Sequence, residues 1–93
     1  MIKTVADRRT QELFEEGRAR GIPEHIANRV RRKLDRLNTV SRLDELRVPA
    51  GNRLHALHGD REGQWAIAVN ERWRICFRFA DGDAYEVEFC DYH

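Results

Sequence analysis

The sequence predicts an α+β fold, with two N-terminal helices packed on one face of a small antiparallel sheet. Three features point there. The apolar repeat is about 3.6 residues up to Asn38 and close to 2 from Leu54 onward. Gly17 and the Gly21-Ile22-Pro23 junction divide the helical half in two. Asp81-Gly82, between two alternating segments, is a strong hairpin signal. Consecutive hairpins favour antiparallel pairing, with both helices on one face. Residues 1–93 are expected to form one domain.

The elements follow in order. Ile2 to Val5 is a short strand candidate, and Asp7 is placed to cap a helix running from Arg8 to about Arg18. Leu13 and Phe14 supply its thin apolar stripe. Pro23 suits the first turn of a second helix, roughly 23–38, and Glu24 favours the positive end of its dipole. Ile26, Val30, Leu34 and Leu37 recur there at helical spacing. Residues 41–46 add a short helical turn, and Pro49 to Asn52 form a loop. Strands follow at Leu54–Leu57, Trp65–Val69, Trp73–Phe79 and about 83–90. Trp65, Trp73, Phe77, Phe79, Tyr85 and Phe89 are read as core.

The hairpin register can be reasoned from side-chain chemistry. A three-residue loop with Gly82 left-handed would oppose Phe77 to Tyr85, Ile75 to Val87 and Trp73 to Phe89. A plain two-residue loop would oppose Ile75 to Glu88, so the three-residue loop is preferred. Cys90 then lies beside Arg72, roughly 13 Å along the ladder from Cys76. That is too far for a disulfide. The lack of a signal-peptide core at the N-terminus also argues against one and for the cytoplasm.

No apolar run is long enough to span a membrane. Net charge is only +1, but it is unevenly spread. Residues 21–50 carry seven Arg or Lys against four acids, and residues 51–93 carry five against eight. Fifteen of the seventeen basic residues are arginine, whose planar fork suits phosphate. Arg29, Arg32, Lys33 and Arg36 lie off the apolar stripe of the second helix. They make either an ordinary solvated face or a phosphate-facing surface.

Two stretches carry chemistry: 53–61, with Arg53, His55, His58 and Arg61, and the run Cys90-Asp91-Tyr92-His93. The fold is expected to bring them together. The spacing H-x2-H…C-x2-H raises zinc, but zinc ligand pairs usually stand on a knuckle or helix, so no metal and no cofactor is expected. Metal-free RNA cleavage fits better. It needs a base for the 2′-hydroxyl, an acid for the 5′-oxygen, and cations for the phosphorane. His55, His93 and Tyr92, with Arg53, Arg61 or Arg74, supply those groups. Tyr92, beyond the last strand residue, is placed to stack on a base. His25 reads as a surface residue.

The run Arg53-Leu54-His55-Ala56-Leu57-His58-Gly59-Asp60-Arg61-Glu62-Gly63-Gln64-Trp65, then Asn70-Glu71-Arg72-Trp73-Arg74-Ile75, Gly82-Asp83-Ala84-Tyr85 and Asp91-Tyr92-His93, resembles the HigB host-inhibition toxins of the RelE/ParE superfamily. The resemblance covers nearly the whole chain. It implies a RelE-like fold and a toxin of a type II toxin–antitoxin system. It also implies an mRNA endoribonuclease that works without metal in the ribosomal A site and leaves a 2′,3′-cyclic phosphate. The implied partners are the ribosome, mRNA and a HigA-like helix-turn-helix antitoxin, with operator DNA met only through the antitoxin. By motif, His55, Asp91, Tyr92, His93 and Arg74 take the catalytic positions, and Arg61 that of the Gly-Asp-Arg turn. His58 stands where the family commonly has lysine, which makes phosphate neutralisation there pH-dependent, and Ala56 stands where proline is common. The first departure keeps open an alternative, a non-cleaving degenerate toxin that binds antitoxin or RNA. A gyrase-directed toxin on the same fold would need no proton-handling triplet.

Overall fold

Asp7 starts the first helix, α1 (Arg8–Glu16), as its spacing predicts: its carboxylate accepts the Thr10 N–H at 2.8 Å. The helix stops two residues earlier than expected, because Gly17 turns left-handed at φ 74° and caps the Leu13 carbonyl. Pro23 immediately precedes α2 (Glu24–Thr39), whose apolar face, Ile26, Ala27, Val30, Leu34 and Leu37, is wholly buried. The expected turn after it is a 3₁₀ segment, Leu43–Arg47, that buries Leu46. Glu45 fixes it by accepting the N–H groups of Ser41 and Arg42, which hold its carboxyl below the usual carboxylate range. Pro49 to Asn52 is one more 3₁₀ turn in place of an irregular loop. It is held by buried Asn52, whose amide donates to the carbonyls of Leu46 and Val48.

This computed structural model describes residues 1–91, so the roles expected of Tyr92 and His93 lie outside the described residues. Four strands pair antiparallel in sequence order: β1 (His55–Ala56), β2 (Trp65–Ala68), β3 (Trp73–Ala80) and β4 (Asp83–Asp91). The first is shorter than the four residues expected. Ile2 to Val5 does join the sheet, but parallel to β4, through bridges from Ile2 to Ala84 and from Val5 to Val87. Both helices pack on one face. There Leu13, Val30, Leu34 and Leu37 meet Ile67, Ile75, Phe77, Val87 and Phe89. Among the described residues, the buried apolar cluster on the opposite face is Ala66, Cys76 and Cys90, with Leu57 packed against it. Among the described residues, no helix is long and apolar enough to cross a membrane.

The expected hairpin register is wrong. Asp81 and Gly82 both adopt positive φ, 52° and 82°, in a two-residue loop, which fits the right-handed twist of the flanking strands. Phe79 therefore opposes Ala84, and Arg78 opposes Tyr85. Tyr85 is only half-buried and stands outside the main core, contrary to expectation. Between Cys76 and Arg78 the ladder slips by one residue, so that Glu86 and Val87 together face Phe77. The bulge permits the tight turn and still directs Val87 and Phe89 into the helix-side core. Beyond it, Ile75 opposes Phe89, Cys76 opposes Glu88, Arg74 opposes Cys90 and Trp73 opposes Asp91. The two cysteines become diagonal neighbours with sulfurs 2.7 Å apart, not the separated pair that an unbulged ladder implies.

Thr10 shows how α1 is tied to this sheet. It is fully buried, and its hydroxyl accepts the backbone N–H of Phe89 at 2.9 Å. Thr10→Val keeps the shape but leaves that N–H without an acceptor. It is expected to cost about 2 kcal/mol in urea unfolding with an unchanged slope, whereas Thr10→Ser retains most of the stability. Equal losses for the two variants would assign the effect to packing instead.

Candidate active site

The pairing pattern lays a row across the outer face of the sheet: His55 opposite Ala66, Ala66 opposite Cys76, and Cys76 opposite Glu88. Directly opposed residues share a face, so the row runs over a floor of small side chains. His55 stands at its β1 end, half-buried. Its Nδ1 lies 2.7 Å from the Arg53 carbonyl, which can only accept, so Nδ1 carries the proton and Nε2 the lone pair. Arg53 presents that carbonyl because its own backbone is left-handed, at φ 48°.

Arg61 approaches the other end of the row. The short turn Gly59–Arg61 lifts it from the β1–β2 connection, and its Nη1 meets Glu88 Oε1 at 3.1 Å and Gln64 Oε1 at 3.0 Å. The Glu88 hydrogen bond raises the pKa of Arg61 further, so the guanidinium is a permanent cation over the floor. This contact sets the 53–61 stretch beside Glu88 of β4; of the terminal run expected to meet it, Tyr92 and His93 lie outside the described residues. His58, immediately before the turn, is exposed.

Arg74 is only 7% exposed. Its Nη1 donates to the carbonyls of Asn70 and, at 3.0 Å, Trp73, which directs the guanidinium toward the β2–β3 turn. Asn70 organises that turn with its side chain, accepting the N–H groups of Arg72 and Trp73. Asp91 is not in the His55 row. It stands at the sheet end opposite Trp73, and its Oδ2 receives Arg72 Nε at 3.2 Å and Nη2 at 3.1 Å. The Arg72 guanidinium lies 4.6 Å over the Trp73 ring, which stacks at 4.6 Å on Phe89. Arg9 closes the stack from α1, 5.1 Å over the Phe89 ring and 2.9 Å from the Phe89 carbonyl. The residues leading to position 91 are therefore clamped from both sides.

Arg29, Arg32 and Arg36 form a separate group. With Lys33, Pro49, Asn52 and Ile67 they line a cavity of about 410 Å³ beside α2. Ile67 belongs to the helix-side core, so this cavity does not open from the His55 row. Lys33 donates to the Asn52 side chain, and its pKa is lowered by burial and by the neighbouring Arg29 and Arg32.

Residues 3–93 match the family described as "RelE-like toxin of type II toxin-antitoxin system HigB". The chain belongs to the HigB family. It is 40% identical over 93 residues to the "Endoribonuclease HigB" of Proteus vulgaris, covering all of both chains. It is 37% identical over 85 residues to the "Toxin HigB-1" of Vibrio cholerae serotype O1 (strain ATCC 39315 / El Tor Inaba N16961), covering 90% of each. This HigB-type chain is thus the toxin of a type II toxin–antitoxin system, and membership implies a cognate antitoxin.

Sequence reasoning missed the roles of Arg72, Glu88, Asn70 and Asn52. Arg72 and Glu88 acquire meaning only through the bulged register, which no spacing announces. Asn70 carried a local signal: Asn at a strand-to-strand turn offers its side chain to the following N–H groups.

The crowding of Lys33 has a consequence for stability. Its folded-state pKa lies below the ordinary lysine value of 10.5, so the unfolded chain holds the extra proton between the two values. Stability should therefore rise with pH in that window. Melting wild type and Lys33→Met in parallel from neutral pH toward 10.5 should show their difference shifting in favour of wild type. A pH-independent difference would mean that Lys33 is not perturbed.

Proposed function

We propose that the chain is an endoribonuclease that cuts mRNA in the ribosomal A site and so arrests translation. The observation that carries this reading is His55. Its tautomer is fixed by the Arg53 carbonyl, and it shares a small-residue floor with the Arg61 cation. The name "Endoribonuclease HigB" on a full-length relative supports the same chemistry.

In the proposed reaction His55 Nε2 takes the proton from the ribose 2′-hydroxyl. The 2′-oxygen attacks phosphorus, and the 5′-oxygen leaves with a proton from His93. The products are a 2′,3′-cyclic phosphate and a 5′-hydroxyl. Arg61 exchanges Glu88 for the scissile phosphate, and Arg74 contributes a second cation. Asp91, held by Arg72, orients the end of β4 and with it Tyr92, which stacks on a base. Arg53 and His58 flank the RNA path. Arg29, Arg32 and Arg36 meet ribosomal RNA phosphates, so docking should weaken steeply with salt. The partner is a HigA-like helix-turn-helix antitoxin, operator DNA is reached through it, and the site of action is the cytoplasm. No metal takes part.

The test uses purified chain with mRNA-programmed ribosomes and with naked mRNA. Cuts are expected at the A-site codon with ribosomes only, bearing cyclic phosphate ends. His55→Ala and His93→Ala should each slow cleavage about 100-fold or more. Deleting residues 91–93 should abolish cleavage while leaving the circular dichroism spectrum folded. Equal cutting of naked mRNA, or 3′-hydroxyl ends, would overturn the proposal.

A second reading, a toxin that binds antitoxin or RNA without cutting, draws on the Arg61–Glu88 pair, which occupies the main phosphate cation. Antitoxin binding together with normal growth on expression would favour it.

A further inference from the structure

Cys76 and Cys90 belong to the floor of the outer face, yet the proposed reaction uses neither. The bulged register makes them diagonal neighbours: Cys76 opposes Glu88, and Cys90 opposes Arg74. Their sulfurs are 2.7 Å apart, well inside the separation of two sulfurs that merely touch. Both are free thiols, exposed by 2% and 9%. Their cover is thin. Among the described residues, this face has no packed helix, and the small cluster holds Ala66 and the partly buried Leu57 besides them.

The chemistry of the pair is asymmetric. Cys76 has its pKa lowered, first by a hydrogen bond from the Cys90 thiol and then, against the cost of burial, by the Arg61 guanidinium. Cys90 is pushed up by the same hydrogen bond and by burial. The sulfurs are in contact, and the Cys90 thiol also has the Arg74 carbonyl as an acceptor, so Cys76 is assigned as the nucleophile. A thiolate beside a cation, with a second thiol in contact, is the arrangement that redox-responsive cysteines need.

We infer that Cys76 and Cys90 are a site of reversible oxidative modification, closing to an intramolecular disulfide when the chain meets a hydroperoxide. The Cys76 thiolate attacks the peroxide oxygen, gives Cys76 sulfenic acid and releases hydroxide. The Cys90 sulfur then attacks the sulfenic sulfur, the S–O bond breaks, and water leaves with the Cys90 proton. The peroxide is reduced by two electrons, and the two thiols are oxidised to one disulfide. A dithiol reductant reverses the step by exchange.

The bond joins β3 to β4 one residue before Asp91, across a closed loop of residues 76–90. It should stabilise the domain by restricting the unfolded chain, with Tm rising by about 10 °C. The effect does not depend on RNA cleavage, so failure of the proposed reaction leaves it standing.

The test treats the intact, folded chain with hydrogen peroxide, then denatures it, adds an alkylating agent and measures its mass. Loss of two hydrogens, no alkylation, a Cys76–Cys90 cross-linked peptide, the higher Tm and full recovery with dithiothreitol are expected. Cys76→Ser and Cys90→Ser should instead gain oxygen without losing two hydrogens. If a serine variant fails to fold, the wild-type mass and peptide map decide alone. Two alkylated thiols after treatment, oxygen addition as the wild-type product, or a disulfide between two copies would overturn the inference.

Discussion

One extra residue in β4, absorbed at Glu86 and Val87, decides which side chains the sheet presents on each face. Without it, the tight turn at Asp81-Gly82 would point Phe89 away from the helices and Glu88 toward them. With it, Val87 and Phe89 complete the core under α1 and α2, and Glu88 and Cys90 turn outward. Glu86 bears the local cost, holding a left-handed φ of 53° that a non-glycine residue adopts reluctantly. Its N–H is rescued by the Thr4 hydroxyl at 2.7 Å, and its carboxylate meets Arg78 at 2.7 Å. The core, the outer row and the sulfur pair all follow from this slip.

The two faces of the sheet are unequal for a physical reason. The helix side is packed with aromatic and branched side chains, and its buried polar side chains, Thr10 and Asn52, are hydrogen-bonded. The outer side has alanines and cysteines as a floor, and floors of that kind leave room for charged side chains to lie across them. Arg61 and His55 use that room. The arginines of α2 stand off the apolar stripe of a helix whose other face is committed to the core, and they serve a cavity of their own.

Much of the architecture was legible in the residues. The Asp7 cap, the Gly17 stop, the buried stripe of α2 and the strand periodicity each rest on local rules, and each appears where those rules put it, within one or two residues. The register was not legible, because a bulge costs one residue and leaves no compositional mark when its left-handed position is a glutamate. That single omission misplaced Tyr85, Cys76, Cys90 and the partner of Trp73 together. The Trp73–Phe89 stack was nonetheless anticipated, since both rings point to the same face in either register. Of the candidate site, Arg61 was legible as a phosphate-binding candidate, while its partner Glu88 depended on the register.

The N-terminal segment draws out something else. Ile2 and Val5 pair in parallel with β4, whose other edge pairs with β3. β4, which follows the other strands in the sequence, is therefore an interior element, flanked on one side by residues that precede them all. A chain still being synthesised holds Ile2 to Val5 and β3 as two open edges with nothing between them, and Leu13, Val30 and Leu34 lack Val87 and Phe89 to close on. Sheet closure waits for contacts as distant in sequence as Val5 with Val87. For a toxin, that order keeps the sheet open until β4 itself has been made.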